Sequence, residues 1–291
     1  AKSERAYGQL LKAQVLSAEY TVDVSNDSLD TEIDRIRQYE QATVASGDKV
    51  LAAIYQSVLG EVFADNEMAV EDAARLSKEY YAKSMTCPDE LAKAYCTGYD
   101  PFVKDGDDSK YFYDDMLHVI GMRAEDYRGM HDYYASHGKR EAACLTALQI
   151  VCDNRKDGDE GRVKKSKFIM SLDSLVHEYS DLVVCGEVAI ERYSYMESAE
   201  DVTEDDKMNY INYALMTWGA WPRMNILRNA QRRLTLPSFH ASLGGELALP
   251  DVPRKVVVMG VNNVGELKLT VSRLDIDGTT KLNPNVDADY A

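Results

Sequence analysis

Leu234-Thr235-Leu236-Pro237-Ser238-Phe239 marks the point where the hydrophobic period of the chain changes. Up to about Leu234 apolar residues recur every three or four positions, the spacing of a helix face. After Pro237 they recur every second position, the spacing of a strand. The clearest case is Glu266-Leu267-Lys268-Leu269-Thr270-Val271-Ser272-Arg273-Leu274, which puts Leu267, Leu269 and Val271 on one face and Lys268, Thr270 and Ser272 on the other. Lys255 to Val261 predicts a second, more apolar strand, and Phe239 to Leu249 a third, interrupted at Gly244-Gly245. Asn262-Asn263-Val264-Gly265 and Asp277-Gly278 are turn sequences. The expected fold class is therefore α+β, mostly α. Residues 1–235 form a helical-hairpin, solenoid-like domain, and residues 236–291 a partial antiparallel β-sandwich segment. Three strands with one apolar face are about the least that makes an independent sheet. No fourth strand is legible after Asp277, so the natural chain is expected to continue into the rest of a β domain.

Working back from the switch, Met224 to Leu234 predicts a helix that Trp221-Pro222 separates from another carrying Tyr210, Tyr213 and Trp218. Thr203 and Asp206, three apart, predict a capping box at its start. Phe168 to Met196 is helical, and Asp153 to Lys167 is the most polar loop. Lys139 to Val151 predicts a helix with Cys144, Leu148 and Val151 on one face, entered from the helix stop His137-Gly138. Tyr111 to Ile120 and Tyr127 to Ser136 are expected as helices separated at Gly121, after a loop from Pro101 to Asp108. Glu71 to Met85 predicts a helix, and Pro88 suits the first turn of a short one. Leu51, Ile54, Val58 and Val62 line one helix, and Leu29, Ile33 and Ile36 another. Ser46-Gly47-Asp48 divides the two. Ser3 to Tyr20 predicts the first helix, with a break at Val24-Ser25-Asn26-Asp27.

The 291 residues carry 49 acidic against 33 basic side chains, a formal net charge of −16. Such a charge repels nucleic acid and anionic lipid, so neither is expected as a partner. No apolar run is long enough to span a bilayer, so no direct membrane insertion is expected. Ala1-Lys2-Ser3-Glu4 does not read as a signal peptide. The five cysteines (Cys87, Cys96, Cys144, Cys152 and Cys185) are scattered and odd in number. That argues against a full disulfide framework and leaves room for one bridge.

Three groups invite a chemical reading. Asp153-Asn154-Arg155-Lys156-Asp157-Gly158-Asp159 resembles a calcium loop in placing Gly158 sixth. However, Arg155 stands third and Lys164 twelfth, where oxygen ligands are needed, so it reads as a solvated loop. Asp114 and His118, four apart on an expected helix face, could be a proton relay or half a metal site, with His131 and His137 following. No His-Glu-x-x-His or Cys-x-x-Cys completes them, so they read as structural histidines. Neither a Gly-x-Ser-x-Gly elbow nor a phosphate-binding glycine loop is present. No catalytic residue, metal or cofactor is expected.

Asp108-Ser109-Lys110-Tyr111-Phe112-Tyr113-Asp114-Asp115-Met116-Leu117-His118, Asp132 to Cys144, and Arg228 to Pro284 with its Pro253-Arg254-Lys255-Val256 together resemble the very large α2-macroglobulin-like proteins of Bacteroidetes. The resemblance implies a helical region ahead of the first of several macroglobulin β-sandwich domains. It also implies a periplasmic or cell-surface location. The parent protein would be an endopeptidase inhibitor that traps proteases, with those proteases and its own other domains as partners. Many members bond the protease through a Cys-x-Glu-Gln thioester. Cys185-Gly186-Glu187-Val188 matches three of its positions, but Val188 cannot supply the acyl carbon, and Cys185 reads as a small buried helix residue. The expected role is a non-enzymatic scaffold. The alternatives are a peptide- or glycan-binding helical module of the cell envelope, and an enzyme built on Asp114/His118 or His131/His137.

Overall fold

The computed structural model describes residues 26–99, 106, 108–155, 162–163, 166–243 and 256–268. These fall into two compact units on either side of the Asn225–Ile226 peptide, whereas the hydrophobic period places the division at 235/236.

The first unit is built of helices. In Asn26–Ser46 (α1), Leu29, Ile33 and Ile36 are buried on one face, as their spacing predicts. Gly47 turns the chain at φ 77°, and the Asp48 carboxylate accepts the Leu51 amide at 3.1 Å to start Lys49–Asp65 (α2). Leu51, Ile54, Val58 and Val62 are buried there, and so are Tyr55, Leu59 and Phe63. A helix apolar all round belongs in the core, and both α1 and Ala73–Ser84 (α3) pack against it. Ser77 Oγ donates to the Gly60 carbonyl at 2.8 Å, and the Tyr81 ring covers Gly60. Pro88 opens the single turn Pro88–Leu91 (α4).

Two expectations fail in the next segment. Tyr111 to Ile120 is not one helix. Ser109–Phe112 is a 3-10 turn, Tyr113 and Asp114 take left-handed φ of 60° and 52°, and Met116–Arg123 (α5) begins only after Asp115 caps it. Nor does Gly121 divide helices. It lies inside α5, where a Cβ would overlap the Met130 thioether, so its glycine serves close packing. The division falls instead at Glu125, φ 53°, and Asp126, which caps Tyr127–Ser136 (α6).

Gly138, φ 69°, ends α6 and lets Arg140–Asp153 (α7) fold back on it. Lys167–Tyr179 (α8) and Cys185–Ser198 (α9) pack with α7, and Glu204–Trp218 (α10) packs on α9. The Thr203–Asp206 capping box forms, with both backbone-to-side-chain bonds at 3.1 Å. Trp221-Pro222 interrupts the chain with the 3-10 turn Pro222–Met224. A Cβ on Gly186 would stand 2.7 Å from Trp221 Cβ and 2.9 Å from its Cγ, atoms too near the backbone to swing aside. Gly186→Ala is therefore expected to destabilise by about 1–3 kcal/mol, read as a lower urea midpoint at unchanged slope.

Among the described residues the second unit contains most of Asn225–Thr235 (α11) and two strands. Ser238–Leu243 (β1) pairs antiparallel with Val256–Asn262 (β2), His240 facing Met259 and Leu243 facing Val256. The register slips between Ser238 and His240, where Gly260 takes φ 59°, the signature of a β-bulge. Asn263 Nδ2 donates to the Leu234 carbonyl. The fold is thus α+β, mostly α, with a two-stranded antiparallel sheet. Of the alternating stretch, Glu266–Lys268 form no strand. Leu269 to Leu274, Gly244 to Leu249, Asp277-Gly278, residues 101–105 of the expected loop and the helix expected over Ser3 to Tyr20 lie outside the described residues. No helix among the described residues is long and apolar enough to cross a membrane.

Candidate functional site

Asp115 is a buried acid of the first unit, only 1% exposed. Its Oδ1 accepts the His118 amide at 2.9 Å, capping α5, and the Tyr134 hydroxyl of α6 at 2.8 Å. Its Oδ2 meets Lys139 Nζ, ahead of α7, at 3.3 Å. The Lys139 ammonium also lies 4.5 Å from the Tyr113 ring centre and 5.5 Å from that of Tyr134, a cation–π setting. Burial raises the Asp115 pKa, opposed by the His118 amide, Tyr134 and Lys139. Burial, then the Asp115 charge, pushes the Tyr134 hydroxyl far up. Sequence reading missed Asp115. The available signal was an acidic residue directly before the apolar run Met116-Leu117, a helix-start pattern.

The expected Asp114–His118 pair on one helix face does not form, because Asp114 precedes α5 in a left-handed conformation. The His118 ring lies flat on Phe112, centroids 4.0 Å apart and planes within 2°. Burial lowers its pKa to about 4, against weaker pulls from Asp108 and Asp114. Its Nδ1 is buried without a hydrogen-bond partner among the described residues. His131 stands beside Asp132 at 3.4 Å. His137 Nδ1 lies 3.2 Å from Ser136 Oγ, and its Nε2 lies 3.9 Å from Asp89 Oδ1. That row has the residue types of a nucleophilic triad but not its bonding. Ser136 Oγ donates to the Tyr133 carbonyl at 2.9 Å, His137 Nδ1 meets the same oxygen at 2.8 Å, and 3.9 Å is no hydrogen bond. Ser136 and His137 close the end of α6, both on the Tyr133 carbonyl.

Glu187 is the second buried carboxylate. It accepts Trp221 Nε1 at 2.7 Å and pairs with Arg223, tying α9 to the turn after α10. Burial raises its pKa, opposed by Trp221 and Arg223. Of the three positions that mimic a thioester motif, Cys185, the first residue of α9, and Gly186 serve packing, and Glu187 holds Trp221 and Arg223. Removing the carboxylate strands the indole N–H. Glu187→Ala is expected to lose about 1–3 kcal/mol and to red-shift tryptophan emission, while Glu187→Gln keeps the acceptor and most of the emission signature.

Asp153 closes α7, and Asn154 Nδ2 donates to the Ile150 carbonyl at 2.6 Å. Lys156 to Asp159 of the calcium-like loop lie outside the described residues. Among the described residues no three His, Cys, Asp or Glu side chains are grouped to hold a metal. An open cavity of about 290 Å³ is lined by Asp48, Lys49, Gln56, Cys87 and Glu90, with Lys49 and Glu90 ion-paired at 2.5 Å. Comparison of the chain with protein-family models, curated proteins and solved structures finds no match.

Proposed function

We propose that the chain is a non-enzymatic scaffold and interaction region of a secreted or surface-anchored bacterial protein of the α2-macroglobulin-like kind, whose parent traps proteases. What carries the reading is how the two buried carboxylates are used. Asp115 joins α5, α6 and the start of α7, and Glu187 joins α9 to the Trp221–Arg223 turn. Each already holds donors from its own fold, as cross-braces do. The resemblance of Asp108 to His118, Asp132 to Cys144 and Arg228 to Pro284 supplies the parent and its periplasmic or cell-surface location. The test is an antibody raised to this chain, used to blot fractionated source cells and to follow an added protease. The antigen is expected in the envelope fraction, in a polypeptide well above 32.6 kDa that co-purifies with the protease. An antigen of that mass in the cytosolic fraction, or hydrolase activity in the pure chain, overturns the reading.

A further inference from the structure

All eleven methionines lie among the described residues, and burial sorts them. Met68, in the turns between α2 and α3, is fully open at 103% exposure. Met216 of α10 stands at 82%, Met170 of α8 at 66% and Met259 of β2 at 52%. No leucine, isoleucine or valine among the described residues is as open as the first three. Where a surface needs only an apolar filler, leucine serves as well. What methionine adds is a thioether sulfur open to oxidants. Met116, Met130, Met196 and Met224 form the opposite set and are buried. The Met130 thioether fills the place of a Gly121 Cβ, and Met224 Cε lies 3.0 Å from the place of a Gly186 Cβ. Met196 Sδ accepts a hydrogen bond from Arg192 Nη1 at 3.0 Å. Sulfur packed in this way has no room for an added oxygen. Met85, Met122 and Met208, half-buried, fall between the two sets.

We propose that Met68, Met170, Met216 and Met259 are sulfoxidation sites, an outer set of thioethers that consumes two-electron oxidants of the peroxide class while the fold stands. In each step a sulfur lone pair attacks one peroxide oxygen. An S–O bond forms and the O–O bond breaks. The sulfur loses two electrons and the peroxide gains them. The departing hydroxide takes the proton of the attacked oxygen and leaves as water. Each new sulfoxide oxygen meets solvent, so no packing is lost. The same change at Met116, Met130, Met196 or Met224 would set a polar oxygen in the core. Exposure thus directs the oxidant to the side chains whose alteration the fold tolerates.

This uptake depends neither on the compartment nor on the macroglobulin-like parent. The test treats the full chain with hydrogen peroxide, in buffer and in urea, and follows oxygen uptake at each methionine by peptide mass. Mapping also separates these oxygens from any taken up by the cysteines. In buffer the outer four should oxidise at nearly their rates in urea. Met116, Met130, Met196 and Met224 should be slower in buffer than in urea by about tenfold or more, because they react only when the fold opens. The chain carrying oxygen on the outer four should keep the urea midpoint and slope of the untreated chain. Met68→Leu, Met170→Leu, Met216→Leu and Met259→Leu combined should remove the fast uptake and leave the slow uptake unchanged. Outer methionines protected in buffer as strongly as the buried four, or a lower urea midpoint once the outer four are oxidised, overturns the proposal.

Discussion

Asp115→Ala is expected to destabilise the first unit by about 3–5 kcal/mol, the range for stripping one partner from a buried pair. Three losses coincide. The α5 cap goes, since the His118 amide loses its acceptor. The Tyr134 hydroxyl, on a residue 0% exposed, keeps no acceptor from Asp115. The Lys139 ammonium, whose side chain is only 23% exposed, loses its counter-charge. Asp115→Asn keeps an acceptor for the cap and the phenol, so it should cost clearly less than Ala. The residual loss in Asn then reports the Lys139 pair. Lys139→Met alone leaves a buried carboxylate without its cation, whereas Asp115→Asn combined with Lys139→Met should fall short of the summed single losses. Urea unfolding of the four variants decides it. Equal losses in Ala and Asn would mean that charge, not bonding, holds the three helices together. The proton linkage of Asp115 has a definite sign. Burial raises its folded pKa above the unfolded value, so its linkage term is fully present below that unfolded value. The term is lost as pH rises through the folded one.

This cluster also shows where sequence reading stops. Local devices were legible because their partners lie a few residues apart. They include the division at Ser46-Gly47-Asp48, the Gly138 stop, the Thr203–Asp206 box and the face made by Leu29, Ile33 and Ile36. Asp115 meets Tyr134 and Lys139 across 19 and 24 residues, and Glu187 meets Trp221 across 34, distances no period encodes. Glycine misled for a related reason. A glycine is used either for backbone freedom or for close approach, and the letter is the same. Gly138 uses the first, while Gly121 and Gly186 use the second, as shown by what a Cβ would strike. The period likewise reported one face of α2, while Tyr55, Leu59 and Phe63 are buried as well, because neighbours crowd that helix on more than one face.

His118 is expected to make the first unit acid-labile. Its folded pKa is lowered from 6.5 to about 4 by burial against Phe112. Between those values the unfolded chain binds a proton that the folded chain refuses. The stability this group contributes is whole above 6.5, falls away as pH drops, and is gone once pH passes below about 4. The span is worth on the order of 3 kcal/mol. The buried Nδ1, with no hydrogen-bond partner among the described residues, explains why nothing there rewards the imidazolium. Replacing the ring with His118→Phe keeps a flat partner for Phe112 and removes the titration. Wild type should therefore lose about 3 kcal/mol more than the variant between pH 7 and pH 4, measured by urea midpoints at each pH. The exposed, ion-paired carboxylates Glu79, Glu90 and Asp181, whose pKa values their partners Lys83, Lys49 and Arg140 lower, also lose stability in acid. They are common to both proteins and cancel in the difference. Parallel pH profiles would show that imidazolium is accommodated at this site and that the acid response belongs to those carboxylates alone. A wild-type profile that is steeper between pH 6.5 and 4 and rejoins the variant's slope outside that window would place the proton on His118.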